Sequence, residues 1–268
     1  MIELKNVSYS YGDGKNALYG VDLLINKAEK IVVAGSNGAG KSTLFLLLNA
    51  VLKAKEGSYY FNNKKISYSK KELLEIRKSI GIVFQESDNQ LFSLNVFEEL
   101  AFGPMNLNLE KVEIDSRIEL AMKQLDIESL KHKSVHTLSS GQKKRVAIAS
   151  VLTMQPEVLI FDEPTAGVDA AHTFDLMQLF NSLYNEGKTI LISTHDMNFA
   201  YEWADRILVL NEGQIVCDAS VEYVFSQQEL LKQCKIELPL ILQIYNGLNN
   251  KSAQVPRNIN ELIRHINN

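Results

Sequence analysis

The sequence predicts an α/β fold with a mainly parallel sheet, a helical insertion and a small helical appendage at the C-terminal end. Short apolar runs alternate with segments of helical spacing near the start of the chain and again from Val158 onward, which favours parallel strands. Between Phe84 and Val158 no segment has a convincing strand pattern, so helices are expected between two core strands. The 268 residues, 46% of them hydrophobic, suffice for one sizeable core and a small subdomain.

The first elements are two strands, followed by a strand, a loop and a helix. One apolar face of the first strand is formed by Ile2, Leu4, Val7 and Tyr9. A second apolar run covers residues 21–25. Residues 31–34 are apolar and end at a glycine-rich loop, and the apolar-rich residues 44–52 follow, which predicts a strand that leads through a loop into a helix.

Capping patterns mark the helices of the middle region. Ser69 is followed by Glu72, and Asn95 by Glu98, which is the spacing of an N-cap with an acidic residue three positions on. Helical spacing on one face is shown by Ile118, Ala121, Met122 and Leu125. The helical insertion is therefore assigned to about residues 86–157.

Strands and helices alternate again toward the C-terminal end. The predicted elements are strands at 158–161 and 189–193, a helix at 174–184 that stops at Gly187, and a hairpin of residues 206–210 and 214–217. We assign residues 1–220 to one domain and residues 221–268 to a C-terminal helical appendage.

Charge and cysteine content narrow the class of protein. The formal net charge is −4, whereas a protein that binds nucleic acid usually has a basic footprint, so no nucleic-acid partner is expected. Six basic residues between Lys64 and Lys78 indicate a solvated face, with a membrane-surface patch as the alternative. Cys217 and Cys234 lack metal-ligand spacing, which indicates two inert thiols in a reduced intracellular chain.

The sequence has no pattern of a membrane-spanning segment. No stretch approaches about 18 uninterrupted apolar residues, and residues 1–5 lack the basic start of a signal peptide. If the chain works at a membrane, we expect a partner to hold it there.

A phosphate-binding pattern, G-x-x-x-x-G-K-[ST], is matched by Gly35-Ser36-Asn37-Gly38-Ala39-Gly40-Lys41-Ser42-Thr43. Its glycines allow backbone N–H groups to converge on phosphates, and the following helix adds its positive N-terminal dipole. Lys41 is expected to reach the β- and γ-phosphates of a nucleotide, and Ser42 to offer its hydroxyl to Mg²⁺. A structural glycine turn is the alternative, which the position between a predicted strand and a predicted helix disfavours.

Two carboxylates end the apolar run of residues 158–161. Asp162 is placed to hold Mg²⁺, and Glu163, one step further, to polarise an attacking water as general base. A capped strand end would have the same pattern, but the position downstream of a phosphate-binding loop favours the catalytic interpretation.

A serine- and glycine-containing motif, Leu138-Ser139-Ser140-Gly141-Gln142, precedes a helix that is rich in Lys143, Lys144 and Arg145. A serine N-cap with a basic first turn would explain the pattern by itself. Because cations are mildly unfavourable at a helix N-terminus, a bound anion is the other explanation.

Together these motifs resemble, in the family's order, those of the nucleotide-binding subunits of ABC transporters, over about residues 2–220. The resemblance implies a P-loop NTPase (ABC ATPase) core with an antiparallel β subdomain, and ATP and Mg²⁺ as cofactors. It also implies that Tyr11 stacks on adenine and that residues 35–43 are the Walker A loop. Position 36 is Ser where Pro is frequent, a departure that removes no catalytic group.

The same resemblance implies roles for the later motifs. Gln85 is similar to the Q-loop glutamine, which touches Mg²⁺ and the attacking water and senses the membrane partner. Asp162 and Glu163 are similar to the Walker B pair. Asp169 is similar to the aspartate of the D-loop, and His195, which directly follows a predicted strand, to the switch histidine.

The signature motif of the family is resembled by Ser139, Gly141 and Gln142, with Ser140 where a second glycine is common. In the family two subunits dimerise head to tail, and the signature motif of one serves the ATP of the other. The resemblance therefore implies a second ATPase subunit, either the same chain or a homologue. It further implies a transmembrane coupling subunit and a substrate-binding membrane subunit, with the chain at the cytoplasmic face of the cell membrane.

Residues 83–92, followed by residues 96–107, resemble the ATPases of energy-coupling factor importers. Phe102-Gly103-Pro104 with Asn106-Leu107 is similar to their cobalt and nickel branch. The resemblance implies that ATP hydrolysis drives the import of cobalt or nickel ions, with a vitamin importer as the alternative.

The sequence disfavours three other interpretations. An ABC ATPase of an exporter or of another importer class is disfavoured only by residues 85–107. A non-catalytic regulatory subunit is disfavoured by the presence of Glu163 and His195. A soluble ABC ATPase that acts on ribosomes or DNA is disfavoured by the single module and the acidic net charge.

Overall fold

The computed structural model describes residues 1–12, 14–167, 170–248 and 255–267, with the backbone alone at 170–172 and at 267. Its strands are β1 (Ile2–Ser10), β2 (Asn16–Ile25), β3 (Lys30–Ala34), β4 (Glu56–Phe61), β5 (Lys64–Lys65), β6 (Ile80–Val83), β7 (Val158–Asp162), β8 (Thr189–Ser193), β9 (Arg206–Asn211) and β10 (Gln214–Ser220). Its α-helices are α1 (Lys41–Leu48), α2 (Lys70–Ser79), α3 (Val96–Asn106), α4 (Lys111–Gln124), α5 (Ser140–Leu152), α6 (Ala170–Asn185), α7 (Met197–Trp203), α8 (Val221–Ser226), α9 (Gln228–Cys234), α10 (Leu240–Gly247) and α11 (Ile259–Asn267).

Two sheets form the framework. The core sheet has the spatial order β10-β9-β3-β8-β7-β6, and its pairs are parallel except for the antiparallel hairpin of β9 and β10. The second sheet is antiparallel, in the order β2-β1-β4-β5. The predicted fold class is confirmed: an α/β core with a mainly parallel sheet and an antiparallel β subdomain.

Three strands were not delimited by the sequence pattern, and several predicted elements have other boundaries: β2 begins at Asn16, and α6 spans Ala170–Asn185. The pattern did not indicate β4, β5 or β6, because β4 buries only Tyr59, β5 has two exposed lysines, and β6 is four residues long. The helix expected at residues 44–52 is α1, which starts earlier and ends at Leu48. Ala50 turns the chain with a φ of 54°, and the Asn49 side chain donates a 2.5 Å hydrogen bond to the carbonyl of Ile80.

The helical insertion consists of α3, α4 and α5, together with short 3₁₀ turns, and lies in the chain between β6 and β7. Both predicted helix starts are confirmed: Ser69 forms a capping box with Glu72, and the Asn95 side chain accepts a 3.0 Å hydrogen bond from the N–H of Glu98. The apolar face of α4 is buried in the same core as the inner side of the sheet. Burial of this stripe holds α4 against α3 and α5, and α5 in turn contacts β6 of the core sheet.

The C-terminal helices pack on the core sheet and on α7. Apolar residues of α8, α9 and α10 belong to the main hydrophobic core. The Asn198 side chain, in α7, accepts a 2.7 Å hydrogen bond from the N–H of Leu240. Arg257 donates to the carbonyl of Ala204 at 2.5 Å and pairs with Glu222. The appendage is therefore hydrogen-bonded at both ends of α7. Its assignment as a separate unit from residue 221 stays a prediction.

The basic cluster and the two cysteines singled out in the sequence lie in the described part of the chain. The six basic residues between Lys64 and Lys78 are exposed. Cys217 and Cys234 are free, and burial raises the pKa of each thiol, which disfavours the thiolate form. No helix in the described part of the chain is both long and apolar enough to cross a membrane.

Candidate active site

One cavity of about 690 Å³, within the size range of small-molecule sites, collects most of the residues that the sequence singled out. The predicted residues that line it are Tyr11, Asn37, Gly38, Ala39, Gly40, Lys41, Ser42, Thr43, Gln85, Asp162, Glu163 and His195. The loop between β3 and α1 forms one wall, and the residues that follow β6, β7 and β8 form the others. Ligand sites of open α/β sheets lie at this carboxyl edge of the strands.

The glycine-rich loop passes close to neighbouring backbone. Gly35 has a φ of 151°, and a Cβ there would lie 2.3 Å from the carbonyl oxygen of Leu210. Gly40 has a φ of 107°, and its Cβ would lie 2.6 Å from the carbonyl oxygen of Ala17. Both positions therefore require glycine because of the protein's own packing, in addition to the access for phosphates that the pattern predicted.

Lys41 is buried at the centre of the loop. Its Nζ donates hydrogen bonds to the carbonyls of Gly35 at 2.8 Å and Ser36 at 3.3 Å. Burial lowers the pKa of Lys41, and the negative charges of Glu163 and Asp162 oppose that shift. The loop thus curls around an ammonium group that faces the two carboxylates across the cavity.

Asp162 is held by two hydroxyl groups. Ser42 donates a 2.6 Å hydrogen bond to Asp162 Oδ2, and Ser193 donates one of 2.5 Å to Oδ1. A carboxylate and a hydroxyl side by side are hard oxygen ligands, so these residues fit Mg²⁺ as predicted. Sequence analysis gave Ser193 no role; its place as the last residue of β8, beside the strand that ends in Asp162, is the signal that could have identified it.

Glu163 occupies a strained backbone position. Its φ is 47°, which is unusual for a residue other than glycine and is found at functional sites. Its N–H donates to the hydroxyl of Ser193 at 2.9 Å and lies 3.2 Å from the carbonyl of the same residue. Ser193 therefore orients both carboxylates, one through the side chain of Asp162 and the other through the backbone of Glu163.

His195 bridges the phosphate-binding loop and the carboxylates. Its Nε2 lies 2.9 Å from Asn37 Oδ1 and 3.5 Å from Lys41 Nζ. The same nitrogen is 3.2 Å from Glu163 Oε1, although the angle is not that of a hydrogen bond. An imidazole here can donate to a charged group placed between the loop and Glu163.

Tyr11 and Gln85 both line the cavity. Tyr11 is half-exposed at the rim, where its hydroxyl is 3.3 Å from Thr43 Oγ1 and its ring meets the edge of Tyr9. Gln85 follows β6, and its backbone carbonyl accepts a 2.7 Å hydrogen bond from Lys144. A flat apolar ring at the rim can stack on an aromatic base.

The serine- and glycine-containing motif does not reach this cavity. Ser139 is the N-cap of α5: its hydroxyl accepts from the N–H of Gln142, whose side chain accepts from the N–H of Ser139. Ser139, Gly141 and Gln142 line a second cavity of about 850 Å³, between α5 and α6. Asp169 lies outside the described residues.

The class of protein follows from the fold, the cavity and a family comparison. A family model described as ABC transporter matches residues 18–166. The chain is an ABC-type ATPase and belongs to the ABC transporter family. It is similar to an energy-coupling factor transporter ATP-binding protein, EcfA, of Methanocaldococcus jannaschii, with 42% identity over 251 residues that cover 94% of this chain and 90% of that protein. A relative from Methanosarcina mazei is longer, and the chain spans 57% of its length.

Solved structures are similar over most of the chain. CbiO1 of Clostridium perfringens, described as part of the ABC transporter complex CbiONQ, has 42% identity and a TM-score of 0.77, covering 91% of this chain and 98% of that one. An ATP-binding cassette solved as a dimer with ADP and Pi has 31% identity and a TM-score of 0.75, covering 82% of this chain and 99% of that one.

The hydrogen bonds of Ser193 lead to a testable prediction. Ser193→Ala removes a partner of Asp162 and of the Glu163 N–H, so we expect ATP hydrolysis to fall by about 10- to 100-fold, as for residues that orient metal ligands. Steady-state ATPase assays check this, with Ser129→Ala, at an exposed position, as the matched control. Equal activity of the two variants would contradict the assigned role.

Proposed function

We propose that the chain binds ATP, hydrolyses it to ADP and phosphate as a head-to-tail dimer, and drives import by an energy-coupling factor transporter. The observation that carries this proposal is the single cavity that joins the phosphate-binding loop, two carboxylates, a glutamine and a histidine. A structural glycine turn would not explain why these groups meet at one edge of the sheet.

In the proposed complex, the triphosphate lies along residues 35–43 with its β- and γ-phosphates at Lys41, and the adenine stacks on Tyr11. Ser42, Asp162 and Gln85 would hold Mg²⁺, which supplies charge neutralisation for the β- and γ-phosphate oxygens. The buried ammonium of Lys41 already lies between loop carbonyls, and its hydrogen bonds can pass to the phosphates when they enter.

The proposed hydrolysis is an in-line displacement at the γ-phosphorus. The oxygen of a water forms a bond to phosphorus, the bond from phosphorus to the bridging oxygen breaks, and ADP leaves with that electron pair. Glu163 takes the proton of the water, and its strained position at the end of β7 aims its carboxylate at the cavity. Lys41 and His195 stabilise the charge that develops on the phosphate oxygens.

The second subunit is proposed from the position of the signature residues. Ser139, Gly141 and Gln142 line a different cavity from the phosphate-binding loop of the same chain, so they are free to serve a nucleotide held by another copy or a homologue. Asp169 is proposed to contribute to that interface. ATP bound between two subunits would stabilise the closed dimer, because it contacts both subunits only in that state.

An exposed apolar group beside the Gln85 loop is the proposed contact for the transmembrane coupling subunit. Phe92 is 60% exposed and packs its ring edge-on against Phe102 at 4.7 Å, with Leu94 and Met105 also exposed. The loop that carries Phe92 is anchored, since Glu99 accepts from the N–H of Phe92 at 3.1 Å. A membrane subunit that binds this group would hold the chain at the cytoplasmic face of the cell membrane and could move Gln85.

The proposed cargo is cobalt or nickel ions. Two findings support it: the similarity of Phe102-Gly103-Pro104 with Asn106-Leu107 to the cobalt and nickel branch, and the structural neighbour from the CbiONQ complex. The similarity to EcfA favours the second candidate, a vitamin or general energy-coupling factor importer. The ATPase does not contact the cargo in either case, so the membrane subunits decide between them.

Replacement of the proposed general base tests the hydrolysis. Glu163→Gln keeps the shape but cannot take a proton, so turnover should fall by about 100-fold or more while the affinity for ATP stays within a few-fold. Steady-state ATPase assays and a fluorescent ATP analogue measure the two quantities. Glu186→Gln, at an exposed position, is the control. Unchanged hydrolysis by the Glu163 variant in a reconstituted complex would refute the assignment.

The membrane contact is tested by affinity capture from mild-detergent membranes. The unmodified chain should recover a transmembrane coupling protein and a small substrate-binding membrane protein, identified by mass spectrometry. Phe92→Asp should lose both, since it places a charge in an apolar contact, whereas Val112→Asp, which alters an 82% exposed residue of α4, should keep them. Equal recovery with both variants would contradict the proposed face, and the small protein's identity distinguishes metal from vitamin cargo.

A further inference from the structure

The lysines at the start of α5 have partners within the chain. Sequence analysis raised a bound anion as an explanation for Lys143 and Lys144, because cations are unfavourable at a helix N-terminus. The structure provides other partners: Lys144 Nζ donates to the carbonyl of Gln85 at 2.7 Å, and Lys143 Nζ pairs with Asp88 Oδ1 at 2.7 Å. Two successive residues of α5 thus bind the loop that follows β6.

Lys144 is buried to an extent that is rare for lysine. Only 6% of its surface is exposed, and its ammonium lies near the charges of Asp162 and Glu163. A buried ammonium is costly unless hydrogen bonds and opposite charges compensate it. The Gln85 carbonyl is a direct hydrogen-bond partner of this group, so the position of that carbonyl and the burial of Lys144 depend on each other.

The loop of Gln85 is also held by hydrogen bonds to the end of β6. The Gln90 side chain accepts from the N–H of Phe84 at 3.0 Å and donates to the carbonyl of Ile82 at 3.3 Å. Those bonds hold the loop to the end of β6. The bond from Lys144 joins it to a different element, the helix that begins with the signature residues.

We propose that Lys144 is a positioning residue for Gln85. Its ammonium holds the Gln85 carbonyl, and this keeps the Gln85 side chain at the wall of the nucleotide cavity. Because α5 starts at the signature motif, the same bond connects the Gln85 loop of one nucleotide site with the residues that serve the site of the second subunit. The inference rests on the proposed function, in which Gln85 contacts Mg²⁺ and Ser139 serves the partner's ATP.

A double-mutant cycle on the reconstituted complex tests the proposal. Lys144→Met, Gln85→Ala and the double variant are compared in kcat and in KM for ATP. If Lys144 acts through Gln85, Lys144→Met should lower kcat by about tenfold, with KM within about twofold, since it removes a hydrogen bond from a charged donor. In the Gln85→Ala background the same change should alter kcat by less than about twofold, because the residue it positions is already absent.

Two control variants distinguish a loss of positioning from a loss of fold stability or a change in the charge of the site. Lys123→Met changes an exposed lysine of α4 and should leave kcat unchanged. Lys144→Arg retains a charged donor and should recover a large part of the activity. If Lys144→Met melts early, Lys144→Gln, which removes the charge but keeps a polar side chain, and its combination with Gln85→Ala provide the cycle.

The outcomes distinguish this inference from the proposed function. If Lys144→Met lowers kcat equally in the wild-type and in the Gln85→Ala background, the inference is overturned. A direct effect of Lys144 on Asp162 and Glu163, or an effect on the fold, would persist without the Gln85 side chain. A Gln85→Ala variant with normal kcat would overturn the role of Gln85 and the inference together. The phosphate-binding and general-base assignments would stand in either case, because neither depends on Gln85 and the Glu163→Gln assays test the general base separately.

Discussion

Strands β3, β8 and β7 run parallel and side by side, and each delivers functional groups to the same cavity. The phosphate-binding loop follows β3, His195 comes two residues after β8, and Asp162 is the last residue of β7. Neighbouring parallel strands end at the same edge of the sheet. Groups that are more than a hundred residues apart in sequence, but that follow adjacent strands, are therefore brought together there. The relative positions of the phosphate-binding loop, the two carboxylates and His195 depend on this common edge.

Ser193 fixes the orientation of the two carboxylates at this edge of the sheet. It ends β8 beside the last residue of β7, donates to the side chain of Asp162 and accepts from the backbone of Glu163. The register of two strands therefore sets the orientation of both carboxylates. The left-handed backbone at Glu163 is maintained by these bonds, which offset the strain of a positive φ at a residue with a side chain.

The sequence predicts the position of those functional groups that directly follow a strand. The phosphate-binding loop, the carboxylate pair and His195 each follow an apolar strand, so pattern and periodicity were enough to predict that they belong at the end of a sheet. The strands β4, β5 and β6 were not delimited by the pattern: β4 buries one residue, which leaves no periodicity to detect, and β5 and β6 are only two and four residues long. The partners of Lys143 and Lys144 were also out of reach, because hydrogen bonds across 59 residues leave no local signal.

The two cavities separate the signature residues from the phosphate-binding loop of the same chain. The phosphate-binding loop and carboxylates form one surface, and the signature residues cap α5 at another. Within this arrangement the bond between Lys144 and Gln85 is a physical connection between the two surfaces. A second subunit would bring a signature motif to each nucleotide, and the appendage on α7 would move with the helix that follows His195.

The most direct test of this account is a structure of the chain with ATP and Mg²⁺ bound, in the Glu163→Gln background so that the nucleotide persists. The account predicts a head-to-tail pair in which the phosphates contact Lys41 of one subunit and Ser139 of the other. ATP that is bound with no second subunit near its γ-phosphate, or a pair in which Ser139 faces away from the nucleotide, would contradict it.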